Sequence, residues 1–189
     1  MAGHGHGGDH TGGNKGVALL IAVLALFLAL AETGGKAAQT EALTRNIEAA
    51  NLWSFFQART IRQTNVRTAA EAAALDLGAT EDAARRATIE RQIAGWRGAA
   101  ERWESEPQTG EGRRELMARA RNAERVRDRS MAAYHMYEYG SAAFQVAIVL
   151  ASASIVTAVP LLAVGAGVLG AIGAVLTGLG FFAPELVHF

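Results

Sequence analysis

Residues 141–187 read SAAFQVAIVLASASIVTAVPLLAVGAGVLGAIGAVLTGLGFFAPELV, with Glu185 as their one ionisable residue. A single helix of this length, at about 1.5 Å per residue, would far outrun a hydrocarbon core of roughly 30 Å. The run therefore has to fold back. Pro160 is the natural break, because it has no backbone N–H to donate and disfavours helix at the residue before it. The stretch reads as two membrane spans, 140–158 and 161–183, joined by a tight turn at 157–160, with a short tail at 184–189.

A second apolar run, GVALLIAVLALFLALA at 16–31, lies near the other end. Extended to residue 34 at the interface, it approaches the roughly 20 residues that a spanning helix needs. A cleaved signal peptide is the competing reading. Only Lys15 precedes the run, and ETGGKAAQ follows it without a small-x-small site, so the expectation is an uncleaved span at 16–34. Of the 18 Lys and Arg residues, all but Lys15 fall between Lys36 and Arg129, so two apolar zones flank one charged zone. The chain has no Cys, which excludes disulfides, zinc–thiolate sites and cysteine catalysis.

The charged zone, 35–139, is rich in Ala, Arg, Glu and Gln and lacks strand-like alternation. DLGATED around Gly78 and SEPQTGEG at 105–112 divide it into helices at 36–77, 80–104 and 111–139, with Thr80 as the expected cap of the middle one. Each helix has an apolar seam. In the middle helix Ile89, Ile93, Trp96, Ala100 and Trp103 form a coiled-coil-like stripe. In the last helix the seam runs from Leu116 through Ala120, Ala123 and Val126 to Tyr137. In the first, Leu43, Ile47, Ala50, Trp53, Ile61 and Leu75 share a face that is expected to point inward. The fold class is thus an all-α membrane protein. Three transmembrane helices carry a long helical insertion, a bundle or stalk, between the first and second.

Within the first of these helices NLWSFFQARTIRQT, 51–64, sets Leu52, Trp53, Phe55 and Phe56 around more than one side. Each aromatic carries about 150–250 Å² that disfavours water. Either the bundle surrounds them, or Leu52, Phe55 and Phe56 meet another copy of the chain. Candidate interface residues are therefore Leu52, Trp53, Phe55, Phe56, Ile89, Ile93, Trp96 and Trp103.

Basic residues cluster beside the insertion, which places it and the C-terminus in the cytoplasm. Arg121, Arg125 and Arg129 precede the second span and are candidates for lipid headgroup contact. Interleaved Glu124 and Asp128 argue against nucleic acid as the partner. In the third span Ala166, Gly170, Ala174 and Gly178 recur every four residues, a pattern that lets helix backbones approach closely. A conducting pore is disfavoured, since this span has no charged and almost no polar side chain to select ions.

The first 15 residues form a His/Gly-rich tail expected to be disordered, with His4, His6, Asp9 and His10 as candidate ligands for Cu(II), Ni(II) or Zn(II). If Met1 is removed, the chain begins Ala2-Gly3-His4, whose amine, two amides and imidazole make a square-planar set for Cu(II) or Ni(II). A tail with incidental histidines is the plainer alternative, and no cofactor is required. No phosphate-binding loop, HExxH or acidic metal cluster occurs, so an enzyme is not expected.

The His/Gly-rich start, NKGVALLIAVLALFLALAETGGKAAQTEAL, NLWSFFQARTIRQT and YEYGSAAFQVAIVLASASIVT together resemble a bacterial family of small membrane proteins. That family is described only as a domain of unknown function. The resemblance covers most of the chain and is weakest in the middle helix. It implies three spans and brings no activity, cofactor or catalytic residue. The leading expectation is a structural scaffold of the bacterial inner membrane that forms a homo-oligomer through its helical insertion and small-residue membrane helix, with the lipid bilayer and an unidentified protein as further partners. A metal-handling or transport accessory role through the tail, or an oligomeric channel, is the alternative.

Overall fold

The computed structural model describes residues 10–186, with side chains from Lys15 onward. It contains helices α1 (His10–Ala79), α2 (Ala83–Glu104), α3 (Arg113–Thr157) and α4 (Pro160–Phe182), followed by a 3₁₀ turn at Pro184–Leu186. Among the described residues there is no strand. Two compact units result. One is formed by Met1–Ala42 with Asp128–Phe189, the other by Leu43–Arg127. The expected candidate ligands His4, His6 and Asp9 lie outside the described residues, and His10 opens α1 with its side chain also outside them.

The first unit packs the N-terminal part of α1, the C-terminal part of α3 and α4. Its core is small-sided: Leu24, Ala31, Phe144, Ala147, Ala151 and Ala166 are buried together. Beyond Leu24, Met136 and Phe144, many of its large aliphatic and aromatic side chains face out, Val156 at 86%, Leu161 at 76% and Phe182 at 80% exposure. Several of its hydroxyls are closed off locally. Thr33 donates to the Ala29 carbonyl, Ser152 to Ile148 and Thr157 to Ala153, each one turn back. Three helices are long and apolar enough to cross a membrane: Lys15–Ala79, Arg113–Thr157 and Pro160–Phe182.

Two sequence expectations change here. Gly34 and Gly35 were expected where the first span gives way to a separate helix, yet α1 runs through them unbroken. Their role is close approach: a Cβ on Gly34 would stand 2.8 Å from the Tyr137 ring. In α4 Ala166 and Gly170 of the expected row are buried and Ala174 packs against the core, but Gly178 does not, and Gly173 and Gly180 are buried in addition. Each four-residue step turns about 40° beyond a full circle, so such a row drifts off the contact face, whereas alternating steps of four and three stay on it. At Gly173 a Cβ would lie 3.0 Å from Phe144 and 3.1 Å from the Gly140 carbonyl, so α3 and α4 meet nearly backbone to backbone. Gly178 has nothing within 4 Å of a Cβ.

The turn between α3 and α4 is as tight as the sequence implies. Ala158 takes φ 55, Val159 is extended, and Pro160 begins α4, where its missing N–H costs nothing. The Ser154 hydroxyl donates to the Val159 carbonyl at 3.0 Å and bridges the turn.

The second unit packs residues 43–79 of α1, all of α2 and residues 113–127 of α3. Asp82, not Thr80, caps α2, accepting from the Ala84 N–H at 2.9 Å. The Thr80 hydroxyl instead donates back to the Asp76 carbonyl. The face that α1 buries is also not the expected one. Leu43, Ile47, Ile61 and Leu75 are exposed at 60%, 62%, 61% and 79%. The inward side carries Ala49, Leu52, Arg59, Gln63 and Ala70. Polar residues hold that side inward because they meet partners far away in the chain.

Candidate functional site

The inward polar residues form a clamp centred on Arg113. Its Nε donates to Thr60 Oγ1 at 2.9 Å, and its Nη1 donates to Gln63 Oε1 and Glu104 Oε2, both at 2.7 Å. Gln63 is fully buried, and its amide nitrogen donates to the Ala100 carbonyl at 2.9 Å and to Glu104 Oε2 at 3.0 Å. Arg114 approaches the other oxygen of Glu104 at 3.4 Å. The Gln63 amide holds the Glu104 carboxyl below its ordinary range against partial burial, and Arg113 and Arg114 act in the same direction.

A second pair flanks this centre. Arg59, nearly buried, bonds Glu111 at 2.7 Å. In the turn before α3 the Ser105 hydroxyl donates to Glu115 Oε1 at 2.7 Å, and the Glu106 N–H donates to its other oxygen. The Ser105 hydroxyl is the main cause that lowers the Glu115 carboxyl from its ordinary value. Gly112 is required beside this loop, because a Cβ would collide with the Glu115 carboxylate and the Glu106 nitrogen.

The aromatics of NLWSFFQ are the apolar bed of the clamp. Leu52 is buried with Leu116 and Ala120, and Trp53 and Phe56 pack against them. Trp53 meets Phe56 edge to face at 5.4 Å, and its indole N–H donates to Glu124 at 2.8 Å. The Arg113 guanidinium lies 5.0 Å over Phe56, and that of Arg59 lies 5.3 Å over Phe55. Leu52 is therefore covered by the chain's own helices and is not free to meet another copy. Ile93 is buried in α2, Ile89, Trp96 and Trp103 are half-buried, and Phe55 is at the edge of exposure. The amphipathic pattern identified these residues but not the arginines laid over them.

In the unit formed by Met1–Ala42 and Asp128–Phe189 a groove of about 950 Å³ opens among α1, α3 and α4. Phe27, Leu30, Tyr137, Gly178 and Phe181 are among its apolar walls, and Glu41 and Arg129 also line it. Arg129 stands 3.9 Å from Glu185 of the 3₁₀ turn. Of the other two candidate headgroup arginines, Arg121 is exposed and Arg125 donates to Asn122 at 3.0 Å, both in the other unit. The Thr177 hydroxyl, buried where α4 meets Gly140, has no hydrogen-bond partner among the described residues. Sequence reading missed the groove because its walls come from three distant segments. Among the described residues no group of three or more His, Cys, Asp or Glu is gathered as a metal site would require.

Residues 13–183 match the family model described as Domain of unknown function (DUF4337), so the chain belongs to that family. No curated protein and no solved structure matches it.

Proposed function

We propose that this DUF4337 member is a multi-pass scaffold of the bacterial inner membrane that self-assembles through its helical insertion. Membrane residence is supported by the three long apolar helices and by large side chains outside a small-residue core, the arrangement that suits lipid. The concentration of Lys and Arg between Lys36 and Arg129 favours a cytoplasmic insertion.

The observation that carries self-assembly is the outward face of α1 in the second unit. Leu43, Ile47, Ile61 and Leu75 are all at least 60% exposed. From Leu43 to Leu75 the helix rises about 48 Å at 1.5 Å per residue. Between these residues the same face carries Ala50, Ser54, Gln57, Ala58, Asn65, Thr68 and Ala72, so it is poor in charge. The exposed positions of α2, by contrast, include Arg85, Arg86, Arg91 and Arg97, spread around the helix. Loss of charge from one exposed stripe is the compositional mark of an interface core, and a stripe that pairs with its own copy gives a closed symmetric assembly.

The test is the native mass of the full chain in nanodiscs, for wild type and for Ile47→Glu/Ile61→Glu. Both positions are exposed, so the variant keeps its fold, checked by tryptophan fluorescence. A discrete wild-type multimer that the variant reduces to monomer supports the reading. A wild-type monomer, or a multimer that the variant leaves intact, overturns it.

A further inference from the structure

The groove among α1, α3 and α4 has a chemistry that the scaffold reading does not use. Its volume, about 950 Å³, is at the upper end of the roughly 300–1,000 Å³ of ligand sites. Its long walls are apolar, with Phe27 and Leu30 on α1 and Gly178 and Phe181 on α4. From Leu30 to Glu41 the α1 wall rises about 16 Å at helical pitch, so the charged residues lie beyond the apolar walls rather than among them. An apolar trough that ends in ionised side chains suits an acyl chain joined to a polar head.

The charges at that end specify the head. Arg129 is the cation, Glu41 lines the same groove, and Glu185 stands 3.9 Å from Arg129. One guanidinium accompanied by two carboxylates complements a phosphate that carries its own ammonium. The phosphate takes the Arg129 fork, and the ammonium donates to the carboxylates. A glycerol head has no cation for the carboxylates, and a serine head adds a third carboxylate. A choline head has no N–H to donate. We infer that this groove binds one phospholipid with a primary ammonium head, an ethanolamine type, with its acyl chain between α1 and α4. The inference rests on membrane residence but not on self-assembly.

The full chain is reconstituted in nanodiscs of equimolar ethanolamine, choline and glycerol phospholipids. The lipid that stays bound after transfer to detergent is then counted by native mass spectrometry. One ethanolamine lipid per chain is expected, enriched about tenfold over choline, the factor that one charge-assisted hydrogen bond supplies. Gly178→Leu projects into open space in the groove and is expected to abolish retention, with tryptophan melting and oligomer mass unchanged. Glu185→Gln is expected to keep a bound lipid and lose the preference for ethanolamine. Equal retention of the three lipids by wild type, or full retention by Gly178→Leu, overturns the groove assignment alone. A chain that carbonate strips from membranes overturns membrane residence and the groove together.

Discussion

Both units bury alanines and a few large apolar side chains, but they differ in what else lies inside and in what faces out. In the unit of Met1–Ala42 and Asp128–Phe189, alanine and glycine lie inside, and Val156, Leu161 and Phe182 lie outside. In the unit of Leu43–Arg127, Gln63 is 2% and Arg59 9% exposed, while the apolar Leu75 is 79% exposed. Under the proposed membrane residence the first unit has lipid as its solvent, where large apolar side chains gain little by turning inward and helices associate through close contact of small residues. Where water is the solvent, a buried amide and guanidinium persist only if each finds partners. The first unit should therefore fail when atoms are added, and the second when a charge is removed.

The largest expected effect follows from taking out the centre of the clamp. Arg113→Ala leaves the buried Gln63 Oε1 without its donor, takes from Glu104 its closest cation and uncovers the Phe56 ring, which should cost about 2–3 kcal/mol for a partly buried charged group. Trp53, Trp96 and Trp103, the three tryptophans of the chain, all lie in this unit, so indole fluorescence during denaturation reads its stability alone. An Arg113→Ala midpoint equal to wild type would break the comparison. The complementary lesion adds one methyl to the other unit. Gly173→Ala sets a Cβ against Phe144 and the Gly140 carbonyl, and overpacking against backbone should cost about 2 kcal/mol. It is read as earlier loss of helical circular dichroism in detergent, with the tryptophan transition unmoved.

The contrast also explains what could be read from sequence. The three apolar stretches, the turn at Pro160 and the break at SEPQTGEG were legible, because each is a local property of composition or of Pro and Gly chemistry. The buried face of α1 was not. Periodicity assigns inward positions to apolar residues, which would place Leu43, Ile47, Ile61 and Leu75 inside. The face actually buried owes its place to Gln63 and Arg59, whose partners are 37 to 52 residues further along. Gly34 and Gly35 misled for a related reason. A glycine costs a helix about 1 kcal/mol, and only the Tyr137 ring beside them shows what offsets that cost. The groove was illegible altogether, since no single segment contains it.

A smaller effect sits in the turn at Ala158, whose φ of 55 is left-handed backbone that disfavours a Cβ. Ala158→Val should destabilise the α3–α4 turn by about 1 kcal/mol, since a β-branched side chain fits that region worse than alanine. Ala158→Gly should be tolerated or mildly stabilising. The same circular dichroism melt checks both. Equal melting of the two variants would mean that the turn is not held in the left-handed region.

The smallest effect is on the acid slope of the clamp, and its direction is fixed by the carboxylates. Glu104 and Glu115 both sit below their ordinary value of 4.5 in the folded chain, Glu104 chiefly through the Gln63 amide and Glu115 through the Ser105 hydroxyl. A carboxyl with a lowered folded pKa binds its proton less readily when folded than when unfolded. Its contribution is therefore complete above the unfolded value and is lost as pH falls through the folded one. The tryptophan-monitored midpoint should hold steady from neutrality to about pH 5 and decline below it. Glu104→Gln keeps an oxygen to accept from Arg113 but has no charge to lose. Its midpoint should start lower at neutral pH and decline less steeply below about pH 5, leaving the Glu115 share of the slope. An acid slope identical in wild type and Glu104→Gln would show that the clamp is held by shape rather than by charge. The two units would then differ in composition but not in the kind of force that holds them.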